Sequence, residues 1–285
     1  MKEIVIISGK GGTGKTVVTA SFAFLAKDKV MADCDVDAAD LHLLLEPKIK
    51  EEGKFHSGAT AVIDKDKCIA CGRCLEVCRF SAVSLDFTID PVACEGCAFC
   101  RNICPVSAIE MKENLSGQWF ISDTRFGPFV HAKLGIAEEN SGKLVALVKK
   151  KAKELAKAKK ASFVIVDGSP GIGCPVIASL SGADCALVVT EPTLSGLADA
   201  KRVINVAKHF KIPVKLIINK FDLNLKISKK IENYCKEDNI DILGKLPFDK
   251  SVIEAITVQK TLPEAASDNI KKIAESIWSK LSSQL

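Results

Sequence analysis

The sequence predicts an α/β protein with a parallel sheet and helices on both faces, interrupted by a smaller α+β domain. Three observations support this prediction. Short, continuously apolar segments alternate with helical segments, a glycine-rich loop follows the first apolar segment, and a cysteine-rich repeat lies within the chain. Alternation of strands and helices is typical of parallel sheets with right-handed crossovers. The 285 residues suffice for one large core and one smaller module.

The first strand and the first helix flank the glycine-rich loop. Residues 4–7 form a β-branched apolar run, which predicts a strand, and residues 17–25 alternate small and apolar side chains as a buried helix does. Residues 30–35 predict a second strand that ends in acidic residues, and residues 41–45 are a short apolar segment behind it. The chain then becomes polar between residues 47 and 58, where we place a domain boundary.

The α/β alternation resumes in the second half of the chain. Residues 162–171, 185–192 and 213–220 are continuously apolar and predict strands that are buried on both faces. The lysine-rich segment 147–160 could bind nucleic acid and the last apolar-periodic segment, 270–281, could lie on a membrane. The spacing of their apolar residues instead favours helices packed on the sheet with one solvated face.

The predicted domain boundaries follow from this pattern. Residues 1–56 and 113–285 form the two parts of the α/β domain, and residues 57–112 form the inserted domain.

Composition excludes several classes of protein. Forty Lys and Arg residues against 35 Asp and Glu residues give a net charge of +5, too small an excess to predict nucleic-acid binding. We find neither a secretion signal nor an apolar run of the roughly 18–20 residues that span a bilayer, so we expect a cytoplasmic protein without a membrane partner. Twelve cysteines in such a chain indicate metal or redox chemistry rather than disulfides.

The glycine-rich loop, SGKGGTGKT, matches the G-x-x-x-x-G-K-[ST] pattern of a phosphate-binding loop. In this pattern backbone N–H groups surround phosphates, the lysine reaches them and the hydroxyl binds magnesium. The predicted nucleotide-binding residues of the loop are therefore Gly11, Gly12, Thr13, Gly14, Lys15 and Thr16. The pattern does not explain a second lysine, Lys10.

Polar residues at the ends of other predicted strands complete this site. Asp167 ends a strand, where it can hold magnesium through water. Asp35 can orient the attacking water, and Asp33 either assists it or faces solvent. Asn219, followed by Lys220, can read the edge of the base.

These motifs together resemble the MinD/ParA family of ATPases, which includes the nitrogenase iron protein and the iron-sulfur carrier ATPases. KGGTGKT is similar to the family's deviant Walker A motif, and DCD, VDGSPG and INK match its switch I, switch II and adenine-binding positions. The resemblance implies ATP hydrolysis by an ATP-dependent homodimer, with Lys10, Lys15 and Asp35 as catalytic residues. It also implies that Lys10 reaches the phosphates bound by the other subunit.

The cysteines of the insert occur in two copies of the spacing C-x2-C-x2-C-x3-C. This doubled spacing predicts two 4Fe-4S clusters. Two zinc sites are the alternative, which the spacing before the fourth cysteine disfavours. The insert resembles a two-cluster bacterial ferredoxin, and the resemblance implies that the repeats share ligands. One cluster would be held by Cys68, Cys71, Cys74 and Cys104, and the other by Cys94, Cys97, Cys100 and Cys78.

Among the remaining cysteines, Cys174 lies seven residues after Asp167. The nitrogenase iron protein places a ligand of its dimer-bridging cluster at this offset. A bridging site needs paired thiolates, and we find no second cysteine to complete one, so we interpret Cys174 as structural.

The sequence therefore predicts an ATPase that couples a nucleotide-dependent dimer switch to electron transfer through two clusters. The expected cofactors are ATP, magnesium and two 4Fe-4S clusters, and the expected partner is a redox protein or metalloprotein. Two alternatives remain open. One is an iron-sulfur or metal-cofactor assembly ATPase, and the other is a redox-sensing positioning or regulatory switch of the Min/Par type.

Overall fold

The computed structural model describes residues 1–135 and 141–285 of the chain. These residues form two compact units. The first unit contains Met1–Gly53, Trp119–Lys133 and Ser141–Leu285, and the second contains Lys54–Gln118 together with Leu134 and Gly135.

Nine strands in the described residues form one sheet. They are β1 (Lys2–Ser8), β2 (Lys29–Asp33), β3 (Lys48–Ile63), β4 (Ile109–Thr124), β5 (Gly127–Leu134), β6 (Phe163–Pro170), β7 (Cys185–Thr190), β8 (Val214–Asn219) and β9 (Asp241–Leu246). Their order is β3-β4-β5-β2-β6-β1-β7-β8-β9. The neighbours from β5 to β9 in this order pair in parallel, which confirms the predicted fold class.

The helices of the described residues connect these strands. They are α1 (Lys15–Leu25), α2 (Leu41–Leu45), α3 (Arg73–Val77), α4 (Phe99–Ile103), α5 (Ser141–Ala158), α6 (Cys174–Leu180), α7 (Leu194–His209), α8 (Leu225–Glu237), α9 (Lys250–Thr257), α10 (Leu262–Ala265) and α11 (Asp268–Ser283). The structure confirms three helices that were predicted from the spacing of apolar residues. The predicted helices at residues 17–25, 147–160 and 270–281 correspond to α1, α5 and α11.

The core of the first unit lies on both faces of the central strands. Ile4–Ile7 of β1 are fully buried, because β1 lies between β6 and β7 and helices cover both faces of the sheet. Continuous apolar runs are expected for such strands, and the predictions for β6, β7 and β8 are confirmed. The polar segment 47–58 lies largely in β3, the first strand in the sheet order, where charged side chains can remain exposed.

Helix α5 contains a buried charge that the sequence does not reveal. Its exposed lysines confirm the predicted solvated face, but Lys149 is only 4% exposed. Its ammonium group lies 2.7 Å from a carboxylate oxygen of Glu3, which is 2% exposed, and Lys153 lies 2.8 Å from the other oxygen. Lys149 also donates to the carbonyl groups of Ser179 and Ser181 at the end of α6. Burial lowers the pKa of Lys149, against the effect of Glu3.

We expect Lys149→Met to destabilise the protein by about 3 kcal/mol, because it leaves a buried carboxylate with one partner fewer. Lys150→Met is the matched control, since Lys150 is exposed and its only described carboxylate partner, Glu154, lies 4.0 Å away. The control should change the free energy of unfolding by less than about 0.5 kcal/mol. Urea unfolding of both variants measures the difference, and equal midpoints would contradict a stabilising role for the buried lysine.

The second unit repeats one short motif around its cysteines. Helices α3 and α4 are each five residues long and are preceded by left-handed residues, Gly72 with φ 79° and Ala98 with φ 61°. A small apolar cluster that includes Ile63, Val83 and Ile109 fills the interior, and six of the eight repeat cysteines belong to it or pack against it. The same local conformation therefore follows the second cysteine of both repeats.

Candidate functional site

The glycine-rich loop joins β1 to α1 at the carboxyl edge of the parallel sheet. Gly12 and Gly14 have φ values of 78° and 89°, which side chains rarely adopt. A Cβ atom at Gly14 would also collide with the side-chain nitrogen of Asn219. That nitrogen donates a 2.8 Å hydrogen bond to the carbonyl oxygen of Thr13 and so connects the loop to the end of β8.

The structure brings the predicted nucleotide-binding residues together around one cleft of about 490 Å³. Its lining includes Gly11, Gly12, Thr13, Gly14, Lys15, Thr16, Asp35, Asn219 and Lys220. Asn219, predicted to read the base, here uses its amide to hold the loop, and its oxygen accepts the backbone N–H of Lys220.

Sequence analysis missed an apolar part of the cleft lining. It comes from the segment after β9, where Pro247, Phe248, Val252, Ile253 and Ile256 supply apolar side chains. An apolar wall beside a phosphate-binding loop suits the flat face of a base. The signal in the sequence is that Pro247 and Phe248 directly follow an apolar segment, which the structure shows to be β9.

Lys15 lies among carboxylates in the described structure. It is 5% exposed, and its ammonium group lies 2.8 Å from Asp167 Oδ1 and 3.4 Å from Asp35 Oδ2. Burial lowers the pKa of Lys15, but the charges of Asp167 and Asp35 outweigh burial and raise it above the usual value. The pKa of Asp35 is also raised, because the effect of burial on this carboxylate exceeds the opposing effect of the charge of Lys15.

Asp33 does not face solvent, so that alternative is wrong. The residue is 1% exposed, and its carboxylate accepts the backbone N–H groups of Asp35, at 3.0 Å, and Leu41, at 3.3 Å. Burial, followed by the charge of Asp167, raises the pKa of Asp33 well above its usual value. Asp33 therefore holds the turn that carries Asp35.

The acidic residues of the cleft fit a magnesium ion. Asp167 Oδ1 lies 3.0 Å from the Thr19 hydroxyl, whereas Asp167 Oδ2 is buried and has no hydrogen-bond partner among the described residues. The carboxylates of Asp35 and Asp167 share one buried lysine, Lys15. Unpaired carboxylate oxygen together with the hydroxyl of Thr16 is the kind of donor set that magnesium prefers.

Lys10 pairs with a residue of its own chain. Its ammonium group lies 2.7 Å from Glu191 Oε1 and donates to the hydroxyl of Ser195 at 3.3 Å. Lys220 lies 3.5 Å from Glu191 Oε2. Sequence analysis missed Glu191, although its position directly after β7 places it at the same edge as the other site residues.

Two cysteine-lined cavities lie in the second unit. One is lined by Cys68, Cys71, Cys74 and Cys104, and the other by Cys78, Cys94, Cys97 and Cys100. The rest of both linings is mainly apolar, with Ile63 and Phe87 in the first cavity and Ile89 and Met111 in the second. The structure thus brings each predicted group of four cysteines together, with one cysteine exchanged between the repeats.

Backbone N–H groups point at the exchanged cysteines. Ala82 donates to Cys78 Sγ and Ala108 donates to Cys104 Sγ, each at 3.3 Å. Such bonds stabilise charge on a sulfur ligand, so the donor set fits an iron-sulfur cluster. Within residues 1–135 and 141–285, no group of three or more His, Cys, Asp or Glu side chains is arranged to hold a single metal ion. The cluster assignment therefore rests on the cavities and the cysteine spacing.

The other cysteines lie outside these cavities. Cys34, Cys185 and Cys235 are buried, and Cys174 is exposed at the start of α6. None of the helices in the described ranges is long and apolar enough to cross a bilayer.

Comparisons with known proteins agree with this architecture. An uncharacterized protein of Methanocaldococcus jannaschii is 37% identical over 278 residues, which cover 96% of this chain and 93% of that protein. An iron-sulfur cluster carrier protein of the same organism is 23% identical, with coverage of 98% and 84%. The solved MinC:MinD cell division protein complex of Aquifex aeolicus has a chain with a TM-score of 0.60, 17% identity and coverage of 99% and 96%.

A family model also matches most of the chain. The model of the CobQ/CobB/MinD/ParA nucleotide binding domain matches residues 4–262. The match includes the phosphate-binding loop, Asp35, Asp167 and Asn219, which together line or border the cleft. The chain therefore belongs to the CobQ/CobB/MinD/ParA family of nucleotide-binding proteins.

Proposed function

We propose that this protein is an ATPase that couples a nucleotide-dependent dimer switch to electron transfer through two 4Fe-4S clusters. The observation that carries the proposal is the combination, in one chain, of a phosphate-loop cleft and two cavities each lined by four cysteines. We further propose residues 57–112 as the inserted ferredoxin-type domain. The clusters would supply one-electron transfer, since 4Fe-4S centres cycle between neighbouring redox states.

The residues of the cleft suggest how ATP is bound and hydrolysed. When the phosphates enter, Lys15 exchanges Asp167 and Asp35 for phosphate oxygens, and the loop N–H groups bind the remaining oxygens. Thr16 and Asp167 would then hold magnesium, which neutralises phosphate charge. Asp35, released from Lys15, accepts a hydrogen bond from the attacking water and orients it towards the γ-phosphate.

Exposed apolar side chains at the same edge support the dimer. Ile172, Leu194 and Leu223 follow β6, β7 and β8 and are 48%, 70% and 61% exposed. Pairing of two such edges would bury these side chains and bring Lys10 of each subunit to the phosphates of the other. A cation supplied in this way offsets charge that develops on the transferred phosphoryl group.

A redox partner would approach the cysteine-lined cavities. Ile69 and Phe80, which belong to the linings of the two cavities, are 61% and 44% exposed, and Phe99 beside the second cavity is 52% exposed. Apolar side chains around an electron-transfer site favour a transient protein contact.

The proposal is tested by measuring the ATP affinity of anaerobically prepared protein with its clusters oxidised and then reduced, and the cluster potentials with and without ATP. Because binding couplings are reciprocal, we expect both quantities to change together. A tenfold change in affinity corresponds to a shift of about 59 mV for one electron. Lys15→Ala is the control. It should remove the shift in affinity and in potential, because the phosphates of ATP lose their main cationic partner in the cleft. Unchanged affinity and unchanged potentials in the unmodified protein would contradict coupling.

The similarity to an iron-sulfur cluster carrier protein favours a second candidate function, a cofactor-assembly ATPase. In this case the clusters are cargo rather than electron carriers. Transfer of iron and sulfide from the loaded protein to an apo-ferredoxin, dependent on ATP, would support assembly. Retention of both clusters through many rounds of hydrolysis would contradict it.

A further inference from the structure

Glu191 occupies a position that the order of the strands defines. Strand β7 pairs with β1 on one side and with β8 on the other. Because parallel strands end at the same edge, the residue after β7 lies between the residues that follow β1 and β8. Glu191 therefore meets Lys10, which follows β1, and Lys220, which follows β8.

Glu191 and Ser195 each contact the ammonium group of Lys10. One carboxylate oxygen lies 2.7 Å from the ammonium group of Lys10, and the Ser195 hydroxyl accepts a second hydrogen bond from it at 3.3 Å. The side chains of Glu191 and Lys10 are 17% and 31% exposed, so the pair is partly shielded from solvent. Burial raises the pKa of Glu191, but the hydrogen bond and charge of Lys10 outweigh it and lower that pKa overall.

The turn that carries Glu191 is itself fixed. The carbonyl oxygen of Glu191 accepts the backbone N–H of Thr193 at 2.8 Å. The hydroxyl of Thr193 caps α7 by accepting the N–H of Gly196 at 2.9 Å, and a Cβ atom at Gly196 would collide with the Glu191 carbonyl. The Glu191 carboxylate is therefore presented from a rigid strand-to-helix turn, and the longer Lys10 side chain is the mobile member of the pair.

We propose that Glu191 is a positioning residue that holds Lys10 within its own subunit and so opposes the transfer of Lys10 to the phosphates of a partner subunit. This inference rests on the proposed function, in which Lys10 acts across the dimer. Dimerisation then requires two exchanges of partner, one in each subunit, from the Glu191 carboxylate to phosphate. Glu191 thereby sets the nucleotide and protein concentrations at which the dimer forms.

The variant Glu191→Gln removes the charge and keeps the shape of the side chain. Because the ion pair between Glu191 and Lys10 is lost from each of the two monomers, we expect the dissociation constant of the ATP-bound dimer to fall by about tenfold. Glu237→Gln on the exposed surface of α8 changes the net charge equally and is the matched control. It should leave the dissociation constant unchanged within about twofold.

A first measurement tests the contact between Glu191 and Lys10 in the monomer. The rate at which acetic anhydride modifies Lys10 is followed by mass spectrometry in nucleotide-free protein at a concentration where it is monomeric. We expect Glu191→Gln to raise this rate by about threefold, because the amine is no longer held against the carboxylate. An unchanged rate would overturn the proposal, since it would mean that Glu191 does not hold Lys10.

A second measurement tests whether the contact between Glu191 and Lys10 affects dimerisation. Analytical ultracentrifugation with ATP compares Glu191→Gln in the natural background and in a Lys10→Ala background. We expect the tenfold effect where Lys10 is present, and no ATP-driven dimer in the Lys10→Ala background with either Glu or Gln at position 191, because Glu191 acts through Lys10. Faster modification of Lys10 without a tighter dimer would overturn the inference while leaving the proposed function intact. ATP-driven dimerisation of Lys10→Ala itself, at the level of the unmodified protein, would instead show that the proposed function has failed and would overturn the inference with it.

Discussion

Lys10→Ala is expected to lower the rate of ATP hydrolysis at saturating nucleotide by about 10³-fold, the scale of a transition-state cation supplied by a second protein surface. The loop N–H groups and Lys15 remain, so the affinity of the monomer for ATP should change by no more than about threefold. Steady-state hydrolysis and equilibrium nucleotide binding measure the two quantities. Their separation is the signature of a lysine that contacts phosphate only in the dimer.

The control for this prediction is Lys27→Ala, which removes an exposed lysine from the segment after α1. It should hydrolyse ATP at the rate of the unmodified protein. Lys10→Ala would contradict the trans role if it lost ATP affinity and hydrolysis in parallel, because Lys10 would then act on the nucleotide of its own subunit. Hydrolysis at an unchanged rate would exclude any role for Lys10 in catalysis.

Pairs of cysteine substitutions are expected to separate according to cavity rather than according to sequence repeat. Cys71→Ser combined with Cys104→Ser removes two ligands from the same cavity and should leave about four iron atoms per chain. Cys71→Ser combined with Cys78→Ser joins two cysteines of one sequence repeat that line different cavities. This second pair should leave almost no iron, because each cluster loses one of its four thiolates.

These outcomes are measured by iron and acid-labile sulfide analysis of anaerobically reconstituted protein. The electron paramagnetic resonance spectrum of the reduced protein gives the number of remaining clusters. Cys174→Ser is the control, since this exposed cysteine lies outside both cavities. It should retain about eight iron atoms per chain. The reverse result, with four iron atoms left by Cys71→Ser and Cys78→Ser, would contradict the exchange of Cys78 and Cys104 between the repeats.

The parts of the structure that sequence could predict are those determined by local chemistry. The glycine-rich loop requires its glycines where φ is positive, as at Gly12 and Gly14, and buried parallel strands require continuous apolar runs. The cysteine spacing is likewise a local signal, and the grouping of Cys78 and Cys104 with the opposite repeat followed from resemblance to a ferredoxin.

The residues that sequence analysis missed depend on contacts between distant segments. Glu191 contacts Lys10 because β7 lies next to β1 in the sheet. The order of strands in a sheet cannot be predicted from the sequence of a single strand. Lys149 has the same side chain as its exposed neighbours in a basic helix, and it is distinguished by its burial and by its distance of 2.7 Å from Glu3, which lies in β1. The apolar residues after β9 have the composition of an ordinary amphipathic helix, and only the fold shows that they line the same cleft as the phosphate-binding loop.

The ion pairs of Lys15 place a positive charge beside Asp167 and Asp35, where a metal ion would otherwise supply one. The lysine neutralises part of the charge of Asp167 and Asp35. A free magnesium ion must compete with this covalently attached cation and therefore gains little by binding alone. On the proposed function, ATP would remove this competitor, because its phosphates would attract Lys15 away from the carboxylates. Magnesium affinity and ATP affinity are consequently expected to rise together, which makes the protein respond to the magnesium–ATP complex rather than to the cellular level of either component.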